Sequence, residues 1–112
     1  MLEVVLKQYL EAVLDEPVYL EIPAGAAAEY YSLERVGGRE TDEGVYESSI
    51  TIESHGSSMY KSALMDEAVI AAMKDANTCE EIYGVRLNSH YNATDTERKI
   101  YKYKALFDVN HY

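Results

Sequence analysis

Residues 82–112, IYGVRLNSHYNATDTERKIYKYKALFDVNHY, hold two runs of alternating side chains on either side of one polar turn. Side chains of a strand point alternately to its two faces. Tyr83, Val85, Leu87, Ser89 and Tyr91 should therefore share one face of the first run, and Tyr101, Tyr103, Ala105, Phe107 and Val109 one face of the second. The pattern predicts a β-hairpin. Its solvent side would carry Arg86, Asn88, His90, Lys102, Lys104 and Asp108, with no catalytic spacing among them. The best-specified part of the chain thus reads as built to pack and to pair, which argues for a structural subunit and against an enzyme.

Upstream of the hairpin, Leu2, Val5, Leu6, Tyr9, Leu10 and Val13 recur at the spacing of one helix face, and Pro17 ends that helix. Val18, Leu20 and Ile22 alternate as a short strand closed by Pro23, which lacks a donor and favours an edge or an end of the sheet. A second strand is expected over Tyr30–Val36, broken by Gly37-Gly38, and a third over Val45–Ser54 with Tyr46, Ile50 and Ile52 inward. These two should form a hairpin whose tip, Arg39–Gly44, is longer than a tight turn needs.

Ser57 or Ser58 can cap a second helix running to about Lys74, with Tyr60, Ala63, Leu64, Ala68, Ala71 and Ala72 as its packing face. Thr78-Cys79-Glu80-Glu81 has a capping-box pattern but meets Gly84, so at most one helical turn is expected there. The order α-β-β-β-α-β-β predicts a single α+β domain spanning 1–112, with a mixed or antiparallel sheet and both helices on one face. Strand three, helix two and strand four would form a crossover if the two strands run parallel in one sheet.

Composition narrows the function classes. With 112 residues the chain can bury roughly 60% or more of its unfolded surface and fold without staples. The single cysteine, Cys79, cannot pair internally. No run of residues is apolar enough to span a bilayer, and the N-terminus lacks a basic region and a cleavage site, so no membrane span or signal peptide is expected and the cytoplasm is the default compartment. Ten basic against twenty acidic residues give a formal charge of −10, which repels a nucleic acid backbone. The basic cluster Arg98, Lys99, Lys102 and Lys104 sits among strand tyrosines and reads as a solvated strand face.

Candidate chemistry is sparse. His55, His90 and His111 lie near strand ends without metal-ligand spacing, and no metal or cofactor is expected. Cys79 is followed by Glu80 and Glu81, which disfavour a thiolate. The carboxylate pairs Asp42-Glu43, Asp66-Glu67 and Glu80-Glu81 fall on predicted surface positions, and Gly37-Gly38 opens no helix that could cradle a phosphate. Eleven tyrosines against one phenylalanine suit half-covered sheets and interfaces alike.

Read in order, VYLEIP, YYSLERVGG, SSITIESHGSSMYKSALMDEAVIAAM and VRLNSHYNATDTERKIYKYKALFDVNHY resemble small proteins of the head-tail gene cluster of siphophages and prophages of Gram-positive bacteria, the tail terminator or tail completion proteins. The likeness covers Pro17–Tyr112 and is most specific at Leu87–Asp95 and Tyr101–Asp108. It implies an α+β protomer of a hexameric ring that caps the tail tube, stops its growth and meets the head connector, first in the host cytoplasm and then in the virion. The partners it implies are further copies of the chain, the major tail tube protein and the connector protein, with no specific nucleic acid. It carries no catalytic residues. The regions expected to touch partners are the first hairpin tip, with Arg39, Glu40, Asp42 and Glu43, and the last turn, with Asn92, Thr94, Asp95 and Glu97. Six copies would carry roughly −60, a field that lets DNA pass without sticking.

Two other classes compete. A different connector adaptor or tail assembly protein would share the composition, and an acidic DNA mimic would need its carboxylates along one face. The acids here are spread over every segment.

Overall fold

The computed structural model describes residues 1–41 and 44–112. The elements are α1 (Leu2–Val13), β1 (Val18–Tyr19), β2 (Tyr30–Glu40), β3 (Tyr46–Gly56), α2 (Met59–Lys74), a single 3₁₀ turn (Ala76–Thr78), β4 (Ile82–Asn92) and β5 (Tyr101–His111). Among the described residues they make one five-stranded mixed sheet in the order β1-β2-β3-β5-β4, and the α+β order is the expected one. Only β1 and β2 run parallel; the other three pairings are antiparallel. Because β5 is antiparallel to both β3 and β4, those two run parallel to each other on either side of it, joined through α2.

Both helices cover the same face. Tyr31 and Leu33 of β2, Ile50 and Ile52 of β3, and Ala105, Phe107 and Val109 of β5 share that face, as the register fixes, and form one core with Leu2, Leu6 and Leu10 of α1 and Met65, Val69 and Met73 of α2. Each of the buried leucine, isoleucine, valine, methionine and phenylalanine side chains contributes about 1.5–3 kcal/mol against leaving it in water. Two hydroxyl bonds add to the packing: Tyr31 ties the sheet to α2 by donating to the Met65 carbonyl at 3.2 Å, and Tyr9 ties α1 to α2 by donating to the Ala72 carbonyl at 2.8 Å.

The structure corrects several expectations, each for a physical reason. In α1 the inward stripe ends at Leu10, and Val13 is exposed, since the helix stops there with Leu14 already extended. β1 pairs only through Val18 and Tyr19, because the chain bends at Leu20; Leu20 and Ile22 are left exposed. Gly37-Gly38 does not end β2. The strand absorbs Val36 as an extra residue between Arg35 and Gly37 and continues to Glu40, since β3 still supplies the ladder. The connection beyond it shrinks to 41–45, closed by the Thr41 amide on the Val45 carbonyl at 2.7 Å and by Gly44 at φ +76°, a conformation glycine adopts at no steric cost.

Ser58 caps α2, accepting from the Lys61 amide at 3.0 Å, as the sequence suggests. Ala72 of the expected packing face touches the core, but the buried stripe is another one. Ser62, Met65, Asp66, Val69 and Met73 turn inward, whereas Tyr60 is 75% and Leu64 43% exposed. Met65, Val69 and Met73 recur every four residues along that face, and their burial offsets the polar cost of Ser62 and Asp66. The one-turn element after α2 does form, but as Ala76–Thr78, with Cys79 ending it instead of following its cap.

The last hairpin forms with β4 modified twice. Tyr83 and Asn88 are extra residues at register shifts, so Ile82 is buried and Tyr83 exposed, and beyond Asn88 every side chain changes face. Val85 and Leu87 alone of the expected inward row pack on the core, while His90, opposite Ala105, turns to the helix side.

Candidate assembly surfaces

The two hairpins point in opposite directions. β3 carries both: Tyr46 lies beside Glu40 and His111 at one end, and Gly56 beside Tyr101 at the other. Tyr46 and Gly56 are ten residue steps apart, about 33 Å at roughly 3.3 Å per step, along a molecule 46 Å long and 24 Å across. The residues expected to meet partners therefore form two groups far apart.

At one end are Arg39, whose guanidinium lies 3.6 Å from the Glu47 carboxylate, and Glu40. Asp42 and Glu43 lie outside the described residues. At the other end is the turn 92–100. There Asn92 Oδ1 accepts from the Thr94 amide at 3.0 Å, Thr94 Oγ1 accepts from the Lys102 amide at 3.2 Å, and Asp95 Oδ1 accepts from the Arg98 amide at 3.1 Å. Reciprocal Asp95–Ile100 backbone bonds close the turn, with Lys99 at φ 56°. Asn92, Thr94 and Asp95 are thus spent on shaping the loop, and Glu97 is exposed on it.

The long arm of β2 is the surface that sequence reasoning missed. Glu34–Glu40 are all exposed although they lie within a paired strand, because β1 pairs only with Tyr31 and Ser32 and α1 reaches the arm at its start, where Glu3 lies 3.5 Å from Arg35. A shallow open hollow follows this arm, lined by Arg35, Val36, Arg39, Glu40, Tyr46 and Ser48. Tyr46 stacks on His111 at 5.7 Å, and His111 Nε2 is 2.8 Å from the Ser48 hydroxyl. Extending β2 past its two glycines would have revealed the arm.

The face of the sheet away from the helices has its own chemistry. Its charged side chains balance, Glu34, Glu47, Glu53 and Asp108 against Arg39, Arg86, Lys102 and Lys104. The whole formal charge of −10 is accordingly carried by the rest of the chain. Arg86 donates to Asp108 at 2.7 Å and holds that carboxyl below its ordinary pKa, with Asn88 adding a bond at 3.3 Å. Tyr30 stacks on His55 at 4.4 Å, and burial pushes the His55 pKa down.

The three histidines are separated: His55 on this open face, His111 at the arm end, His90 on the helix side. Among the described residues no cluster of three or more His, Cys, Asp or Glu side chains could hold a metal ion. Burial pushes the Cys79 thiol pKa up, with Glu81 adding to the effect. No protein-family model and no curated protein matches the chain.

One polar pair was not anticipated. Asp66 of α2 has a side chain only 2% exposed, with Oδ2 2.8 Å from Nδ1 of His90, which is 48% exposed. Asp66 Oδ1 is buried without a partner among the described residues, as is the Ser54 hydroxyl. Burial raises the Asp66 pKa and the His90 bond opposes the rise. An aspartate at the i+4 position from Ser62, inside the stripe Met65, Val69 and Met73, was the available signal.

His90→Ala should cost about 1–2 kcal/mol at pH 7, since it removes the hydrogen bond to the buried Asp66 carboxyl, made by a side chain that is itself half open to solvent. The sign follows from the carboxyl. A folded pKa above the unfolded one favours folding in acid and is a burden as pH rises through it, and losing His90 pushes that pKa further up. The penalty should therefore be greatest at neutral pH and fade as pH falls toward about 4, while Asp66→Asn should be nearly neutral. Urea melts of wild type, both single variants and the double variant at pH 7 and pH 4.5 check this; a pH-independent penalty would refute it.

Proposed function

We propose that this chain is the protomer of a closed homo-oligomeric ring, a hexamer, that caps a phage tail tube, ends tube growth and offers the surface on which the head connector joins. The observation that carries the reading is the separation of the two hairpin ends along the 46 Å axis. A ring at a junction must meet one structure on each side, and a protomer with independent tips at opposite ends can do both at once. The resemblance at Leu87–Asp95 and Tyr101–Asp108 supports it. In this reading the protein acts in the host cytoplasm during assembly and then in the virion, and the charge-balanced open sheet face leaves repulsion of passing DNA to the helices, connections and tips.

The test is electron microscopy of the purified chain mixed with tail tubes. Rings seated at one tube end, with tube growth arrested, are expected; tubes that grow on unaffected would overturn the proposal. Reversing the tip, with Asp42 and Glu43 both changed to lysine, should leave the melting curve unchanged yet lower the yield of head-joined tails by about tenfold or more, because rim charges act mainly on encounter and register. Unchanged joining would remove this end from the partner surface.

A further inference from the structure

We propose that neighbouring copies join edge to edge, the outer edge of β4 in one copy pairing antiparallel with the outer edge of β2 over Glu34–Glu40 in the next. This rests on the ring reading above and names the surface that builds the ring.

The first support is the pair of free edges. β1 shields β2 only at Tyr31 and Ser32, leaving the arm paired on its β3 side alone, and among the described residues no strand lies beyond β4. Long exposed edges invite another chain, and proteins that remain single usually cover them or keep them short.

Direction supplies the second. β2 is antiparallel to β3, β3 to β5 and β5 to β4, so β4 runs opposite to β2. When copies are related by rotation about an axis along the strands, the arriving β4 is therefore antiparallel to β2, the arrangement with straight ladder bonds. The two edges are different surfaces, so the contact is heterologous and can close on itself.

Charge and irregularity narrow the match. On the open face, Arg86 at the β4 edge is three-quarters exposed beside Asp108, and Glu34 at the β2 edge is exposed. Setting Glu34 of the next copy against this edge continues the alternation of sign across the junction. The extra residues at Val36, Tyr83 and Asn88 break both edges into short regular runs, which discourages sliding and unspecific stacking.

Cysteine cross-linking in a Cys79→Ser background tests the pairing. One cysteine is placed on the β2 edge (Glu34→Cys or Arg39→Cys) and one on the β4 edge (Arg86→Cys or Tyr91→Cys), at positions outside the core. The assembled protein, alone or on tail tubes, is oxidised and run without reductant, with native mass spectrometry of each variant to count the copies. At least one β2/β4 combination should give a covalent ladder up to the full ring. Mixed single variants of opposite edges should stop at dimers, and two copies of one edge should give none. Rings that form without any β2/β4 cross-link, or that cross-link equally through like edges, would overturn the edge pairing while leaving the ring intact. The absence of any oligomer in solution and on tubes would overturn both.

Discussion

Phe107→Ala should lower the free energy of unfolding by about 3–5 kcal/mol. Phe107 is fully buried in the middle of β5, level with Ile50 on one side and Leu87 on the other, beneath the helix layer. It is the chain's only phenylalanine, and its two cross-strand partners are aliphatic. Against a total stability of about 5–15 kcal/mol for a domain of this kind, the loss is roughly a fifth or more. Urea unfolding should show the midpoint falling with the slope unchanged. Phe107→Leu, which keeps most of the volume, should cost about 1.5 kcal/mol or less. Tyr91→Ala makes the sharper control. Strict alternation would put Tyr91 on the same inner face, but the Asn88 bulge exposes it, and its loss should stay within about 0.5 kcal/mol. A large Tyr91 penalty would refute the bulged register.

Gly56→Ala should cost about 3 kcal/mol, at the upper end for one added methyl group. Gly56 ends β3, where the chain turns up into α2, and a Cβ there would lie 2.6 Å from the Ser62 amide nitrogen and 2.9 Å from its Cα. These are backbone atoms of the first helical turn, held by the Ser58 cap, so the methyl group can be admitted only by lifting the helix from the sheet. Gly25→Ala and Gly37→Ala, where an added Cβ meets nothing within 4 Å, should change little. Thermal melts of the three variants decide the matter, and equal effects at all three would show that the close approach has no energetic weight.

These two expectations show where local pattern stops being enough. Phe107 was legible as core because the row Tyr101 to Val109 of β5 keeps an unbroken period of two, and β5, as the strand between β3 and β4, is held straight by neighbours on both sides. β4 has a neighbour on one side only, and it takes up two extra residues that no pattern of apolar side chains announces. The consequence for His90 is complete: expected in solvent, it faces the helix layer and meets Asp66. Alternation is a local rule, and one inserted residue inverts everything after it. The same holds at Gly37-Gly38, where two residues of weak strand preference stay in the ladder because β3 is already alongside them.

Of the anticipated partner contacts, Arg39 and Glu40 lie in the strand arm and Glu97 on an exposed turn, but Asn92, Thr94 and Asp95 are engaged in holding that turn together. Short polar side chains satisfy loop amides as readily as they meet partners, and sequence alone does not separate the two uses.

By itself the sequence determined the number and type of the principal elements, the Ser58 cap, the sheet-and-helix class and the strongly acidic balance, because each depends on neighbours within a few positions or on composition alone. Tertiary structure decided which face of α2 turns inward, where the edge strands slip register, that β2 continues as an uncovered arm, and that the hairpin ends lie at opposite poles. Those outcomes depend on how much apolar area one element can bury against another and on which ladder is already in place beside it, quantities that exist only once distant parts of the chain have met.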